Sequence, residues 1–161
     1  MSDQRDLVIF VCTANICRSP MAERLFRHAL DAEEEPLKSL KIISAGVSTM
    51  PGQSPSTNSV KALKNVGISL KNHASEPLNQ DLIDQAIAIF CMTESHRSII
   101  QMHADPLPKN LYLMREFIPN VEEEEIPDPY GMALNNYENC RDSMVESIPS
   151  LVSFVKTLLA K

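Results

Sequence analysis

The residues best suited to chemistry are gathered in one stretch, VIFVCTANICRSPMAERLF, residues 8–26. An apolar, β-prone run ends at Cys12, and Arg18 and Ser19 follow after Thr13, Ala14, Asn15, Ile16 and Cys17. A loop of that length between a strand and a helix can turn its backbone N–H groups inward. Together with the helix N-terminus it then makes a phosphate-binding nest from residues 13–19. Arg18 closes such a nest with a planar fork that matches two phosphate oxygens. The same positive field favours thiolate over thiol at Cys12, which places a charged nucleophile beneath a bound phosphate. Ser19 can donate its hydroxyl to that thiolate and later to the departing sulfur of a thiophosphate. The spacing alone is weak evidence, because Cys12 could be a small buried hydrophobe at a strand end and Arg18 half of a surface ion pair. The strand before, the helix after and the serine beside the arginine give it weight.

Phosphoryl transfer through a thiolate also needs an acid for the leaving group. IPDPYG, residues 126–131, is a Pro-flanked loop carrying Asp128, with the aromatic Tyr130 close behind. Near a thiolate and a phosphate dianion a carboxyl keeps its proton more readily, which suits an acid. Read by itself, Asp-Pro-Tyr-Gly is equally a plain turn.

These residues need a frame that brings positions 12–19 and 128 together. Short apolar runs alternate with helical patterns along the chain. Strands are expected at Leu7–Val11, Leu40–Ser44, Ala86–Met92 and Asn110–Met114, and helices at Pro20–Leu30, Ser56–Val66, Asn79–Gln85, Thr93–Met102 and Asn136–Leu159. Ser19 is the expected N-cap of the first helix, with Pro20 at its first helical position. The last helix carries an apolar stripe through Tyr137, Cys140, Met144, Ile148, Leu151, Val152, Val155, Leu158 and Leu159. Pro149 lies inside it and should kink it, since the ring removes one backbone hydrogen bond and crowds the carbonyl of Val145. Strand–helix alternation of this kind predicts a doubly wound α/β fold, a parallel sheet with helices on both faces. Ligands bind such sheets at the carboxyl ends of the strands, where Cys12 would lie.

Composition narrows the field around that frame. The 161 residues are read as one domain, 1–161, large enough for one substantial core. A net charge of −6 speaks against nucleic acid as a partner, and the acidic runs Glu33–Glu35 and Glu122–Glu125 read as solvated loops. No apolar run approaches the roughly 18 residues of a membrane span, so no membrane partner is expected. The polar start Met1–Asp6 has no leader-like pattern. Cys12, Cys17, Cys91 and Cys140 show neither a Cys-x-x-Cys pair nor zinc-ligand spacing. That predicts free thiols in a reducing cytoplasm.

VCTANICRSPMAE (11–23) together with DPYG (128–131) resembles the low-molecular-weight protein tyrosine phosphatases. The resemblance extends over essentially the whole chain, through Ser44-Ala45-Gly46, NHASEPL around His73, and FCMTESH after the third strand. It implies a four-stranded parallel sheet flanked by helices, with no metal and no cofactor. It also implies roles: Cys12 as nucleophile, Arg18 as phosphate binder, Ser19 as thiolate stabiliser, and Asp128 as general acid and then base. Asn15 would hold the loop in an unusual backbone conformation, tied by hydrogen bonds to Ser44 and His73. Asn tolerates the left-handed region better than most residues, in agreement with that role. His28, His96 and His103 read as ordinary polar residues. Phosphorylated proteins are the implied substrates of a monomeric enzyme, with inorganic phosphate as product and inhibitor. Cys17 is the expected redox partner of Cys12, forming a reversible disulfide that protects the nucleophile from peroxide.

This sequence departs from the family pattern in two places. Ala14 stands where Gly is usual, so its backbone must avoid positive φ or accept strain. The loop Val47–Gln53 has no aromatic residue, which leaves only Tyr130 to stack on a substrate ring. Much of the chain, from SAGV through NHASEPL, looks closer to the bacterial arginine-phosphatase branch than to the tyrosine-specific animal members, and in that branch a Thr typically precedes the second cysteine. Here that residue is Ile16, an apolar wall that favours an aromatic ring and offers a guanidinium no hydrogen bond. The expected activity is therefore protein-tyrosine phosphatase through a cysteinyl-phosphate, with protein-arginine phosphatase as the alternative. Two further readings are a thioredoxin-coupled arsenate reductase, which would need a closely spaced downstream cysteine pair, and a phosphate-binding module without chemistry.

Overall fold

The computed structural model describes residues 5–160, which leaves most of Met1–Asp6, and the reading made of it, outside the described residues. Four strands, β1 (Leu7–Cys12), β2 (Lys41–Gly46), β3 (Ala86–Cys91) and β4 (Leu111–Leu113), form one sheet in the order β2-β1-β3-β4. All pairs are parallel, and the register sets Cys12 against Gly46 and Val11 against Cys91. The helices are α1 (Arg18–Asp31), α2 (Thr57–Lys64), α3 (Gln80–Gln85), α4 (Glu94–His103) and α5 (Leu134–Leu159). Every expected element is present, with ends within two residues of those expected.

Side chains of β1 alternate between the two faces of the sheet, as strand geometry requires. Val8, Phe10 and Cys12 pack with Met21, Leu25 and Phe26 of α1, Leu63 of α2, and Met144 and Leu151 of α5. Leu7, Ile9 and Val11 pack on the opposite face with Ile83 of α3 and Ile100 of α4. Both faces are thus covered, which is why β1 and β3 read as continuous apolar runs rather than alternating ones. Helix α5 runs through Pro149 without ending there, its buried stripe being Tyr137, Cys140, Met144, Leu151 and Val155. Helix α2 starts at the N-cap Ser56, whose hydroxyl accepts from the Ser59 N–H. Among the described residues, no helix is long and apolar enough to cross a membrane.

Candidate active site

Strand β1 ends at Cys12 and α1 begins at Arg18, so residues 13–17 make the turn between them at the carboxyl end of a central strand. A cavity of about 480 Å³ opens there, lined by Cys12, Thr13, Ala14, Ile16, Cys17, Arg18, Gln53, Asp128 and Tyr130. The fold therefore joins the two distant motifs at one mouth.

Asn15 fixes the shape of the loop. It adopts φ +60°, whereas Ala14 keeps a negative φ and escapes the strain feared for it. The Asn15 side chain is fully buried; its Nδ2 donates to Ser19 Oγ (2.8 Å) and its Oδ1 accepts from the Glu76 N–H (2.9 Å). His73 Nε2 lies 2.8 Å from the Asn15 carbonyl oxygen, the contact expected of it. The expected tie to Ser44 is not made. Ser44 is paired with Phe10, two positions short of the loop, and its hydroxyl donates instead to Glu23 Oε1 on α1 (2.8 Å). Glycine is required at 46 because a Cβ there would lie 2.6 Å from the Thr13 carbonyl oxygen. With that side chain missing, Val47 and Ser48 donate their N–H groups to the carbonyls of Cys12 and Thr13, each at 3.0 Å.

Ser19 is not the N-cap of α1. The helix begins earlier, with Cys17 at the cap position and no side-chain cap bond, which places Ser19 inside the first turn. Its Oγ accepts from Asn15 and lies 2.9 Å from Cys12 Sγ, so its proton can turn to the sulfur or to the more distant Ala45 carbonyl at 3.5 Å. The Asn15 backbone N–H also points at Sγ, at 3.3 Å. The Asn15 N–H and the Ser19 hydroxyl thus both lie against one buried sulfur.

Arg18 is 4% exposed, and Nη1 donates to the Ile126 carbonyl at 2.9 Å. Its Nη2 reaches Thr13 Oγ1 (3.5 Å) and Asp128 Oδ2 (3.8 Å). Asp128 is half exposed at the rim, and its Oδ1 accepts from the Tyr130 N–H (3.0 Å). Tyr130 stands beside it, 68% exposed. Half-buried Ile16 forms part of the wall.

The remaining thiols differ from Cys12 in their surroundings. Cys17 contacts Ser56 Oγ (3.4 Å) and Tyr137 Oη (3.6 Å), and burial raises its pKa. Burial pushes Cys140 up to about 12 and raises Cys91 as well. Cys91 packs on the α3–α4 face and Cys140 on the opposite one, so the sheet lies between the two thiols that a relay would need. Among the described residues, no group of three or more His, Cys, Asp or Glu side chains is placed to hold a metal ion.

His96 is not the ordinary polar residue expected from the sequence: it is 3% exposed, with Nε2 at 2.9 Å from Thr13 Oγ1. Burial, and then the neighbouring Arg18 charge, push its pKa down to about 4. The signal was in the sequence: Thr93 and His96 are three apart at a helix start, the spacing of a capping box.

A buried thiol, a buried arginine and a rim carboxyl on one cavity are the parts that displacement at phosphorus requires. The model of the family described as low molecular weight phosphotyrosine protein phosphatase matches residues 7–161, and the chain belongs to this family of cysteine-dependent hydrolases of phosphorylated substrates. The protein-arginine-phosphatase of Bacillus subtilis (strain 168) is 34% identical over 149 residues, covering 92% of this chain and 96% of the relative. The low molecular weight protein-tyrosine-phosphatase PtpA of Staphylococcus epidermidis is 32% identical over 149 residues, 92% of each chain. Among solved structures, the YwlE arginine phosphatase with a phosphorylated active-site serine superposes with a TM-score of 0.83 at 31% identity, covering 93% of this chain and 95% of that one. The tyrosine phosphatase Wzb of Escherichia coli K30, in complex with sulphate, gives 0.82 at 27% identity over 93% and 98% of the two chains.

Proposed function

We propose that this protein is a protein-arginine phosphatase working through a cysteinyl-phosphate on Cys12. The observation that carries the substrate is the full-length likeness to arginine phosphatases, 34% identity to the Bacillus subtilis protein and 30% to that of Geobacillus stearothermophilus, with YwlE superposing at 0.83. In this reading Cys12 attacks phosphorus while Arg18 and the N–H groups of the loop hold the non-bridging oxygens. Asp128 gives its proton to the departing guanidine nitrogen and then takes one from the water that attacks the cysteinyl-phosphate. Ser19 stabilises the thiolate whenever the sulfur is free. A net charge of −6 and an acidic side chain at the mouth suit segments carrying arginine. The enzyme acts as a monomer in the cytoplasm, and released phosphate competes for the same nest.

Two residues on the cavity, Ile16 and Tyr130, favour phosphotyrosine as a second reading. Ile16 gives the wall a branched apolar side chain, and an unmet polar group in a desolvated pocket costs about 1–3 kcal/mol, roughly 5- to 150-fold. Tyr130 can stack on an aromatic ring. Gln53 and Asp128 on the same cavity offer a guanidinium the polar contacts that Ile16 does not. Turnover of matched phosphoarginine and phosphotyrosine peptides decides between them. The proposal expects the higher kcat/KM for phosphoarginine, with a further gain in Ile16→Thr. A higher kcat/KM for phosphotyrosine in the unmodified protein overturns it in favour of the second reading.

A further inference from the structure

Thr13 and His96 lie 83 residues apart in the chain and meet at 2.9 Å beside the cavity. The donors and acceptors around them leave a single arrangement. The Thr93 backbone N–H, which can only donate, faces His96 Nδ1 at 3.2 Å. Nδ1 is therefore the acceptor, and the proton of the neutral ring sits on Nε2. Nε2–H then donates to Thr13 Oγ1, and Arg18 Nη2 donates to the same oxygen at 3.5 Å. Both acceptor positions of the hydroxyl are taken. Its own proton has no protein acceptor among the described residues, and Thr13 is exposed to the cavity shared by Cys12 and Arg18.

We infer that the Thr13 hydroxyl donates a hydrogen bond to an oxygen of the bound phosphoryl group, and that His96 is the positioning residue that aims it. The inference rests on the reading of this cavity as a phosphate site and holds for either phosphorylated side chain. Thr13 thus adds a side-chain donor to those of the loop backbone and Arg18. His96 is suited to its part because burial and the Arg18 charge keep the ring neutral, so that Nδ1 stays an acceptor for Thr93. The ring is also clamped at both nitrogens, which fixes its plane.

The test uses the full chain, with inorganic phosphate as a competitive inhibitor of aryl-phosphate turnover. Thr13→Val, nearly the same shape, should weaken phosphate binding by about 10- to 100-fold, the usual worth of a hydrogen bond to a charged group. Thr13→Ser should restore most of it. His96→Leu should weaken phosphate binding when Thr13 is present and have no further effect in Thr13→Val. His96→Gln, whose amide N–H can replace the Nε2 donor, should rescue the loss. Unchanged phosphate affinity in Thr13→Val overturns the inference. So does an equal loss from His96→Leu with and without the Thr13 hydroxyl, because that is a structural effect alone. Should His96→Leu fail to fold, the Thr13 pair and His96→Gln still decide. A wild-type protein that neither binds phosphate nor turns over an aryl phosphate would instead remove the underlying reading of the site.

Discussion

Replacing Asn15 separates the two things that hold the loop, its backbone conformation and its side-chain bonds. At φ +60°, alanine bears a steric cost of about 1–2 kcal/mol. Losing Oδ1 leaves the Glu76 N–H, now bonded at 2.9 Å, without its partner, at a further cost of about 1–3 kcal/mol. Asn15→Ala should therefore destabilise the protein by about 2–5 kcal/mol, a large share of a typical domain's stability. Asn15→Gly loses the same bonds but meets no steric cost. After allowing for glycine's greater freedom in the unfolded chain, it should be about 1 kcal/mol more stable than Asn15→Ala. Both variants release Ser19 from its 2.8 Å contact, so both should lose turnover even where they are folded. Urea unfolding of the three proteins, with aryl-phosphate turnover measured alongside, supplies the comparison. Equal stability of the Gly and Ala variants would show that the backbone is not strained, and a wild-type-like Asn15→Ala would refute the whole account.

Four other perturbations have defined outcomes. Cys12→Ser should abolish turnover while phosphate still binds, and Asp128→Asn should slow the reaction by about 10²- to 10⁴-fold, most for poor leaving groups; appreciable turnover by Cys12→Ser would remove the cysteinyl-phosphate. Mild peroxide should join Cys12 to Cys17 and stop catalysis reversibly, and mass spectra showing sulfinylated Cys12 beside free Cys17 would exclude that protection. His96 titrates near 4 when folded against 6.5 for an unperturbed imidazole, so the unfolded chain binds more protons between those values. Its contribution to stability is complete above about pH 6.5 and is lost as pH falls toward 4, by up to about 1.4 kcal/mol per pH unit. Urea midpoints across that range should fall more steeply for the wild type than for His96→Gln, and parallel slopes would refute the assignment.

The sheet and its helices were legible because burial on both faces writes itself into the chain as unbroken apolar runs such as Ala86–Cys91. The Cys12–Arg18 loop was legible because its parts are neighbours in sequence. What escaped depends on register. Whether Ser44 faces Asn15 or Glu23 follows from its pairing with Phe10, which no local pattern encodes. Ser19 looked like a cap because serine before proline is a good helix start. The helix begins earlier, and the hydroxyl serves the thiol instead. His96 reaches Thr13 only because β3 lies next to β1. The need for glycine at 46 likewise arises from the Thr13 carbonyl of another segment.

Arg18 grips the Ile126 carbonyl at 2.9 Å, and the Ile126 N–H is itself bonded to the carbonyl of Met92 at 2.9 Å. The root of the Asp128 loop thus hangs between the end of the sheet and the guanidinium. Asp128 lines the cavity with its loop held at the root, 3.8 Å from Arg18. The chemical step of a reaction that uses Asp128 from this position should then be insensitive to solvent viscosity. The same economy makes the part vulnerable. A lysine at 18 keeps the charge but has no fork. It would slacken the nest and the suspension together, two failures from a single side chain.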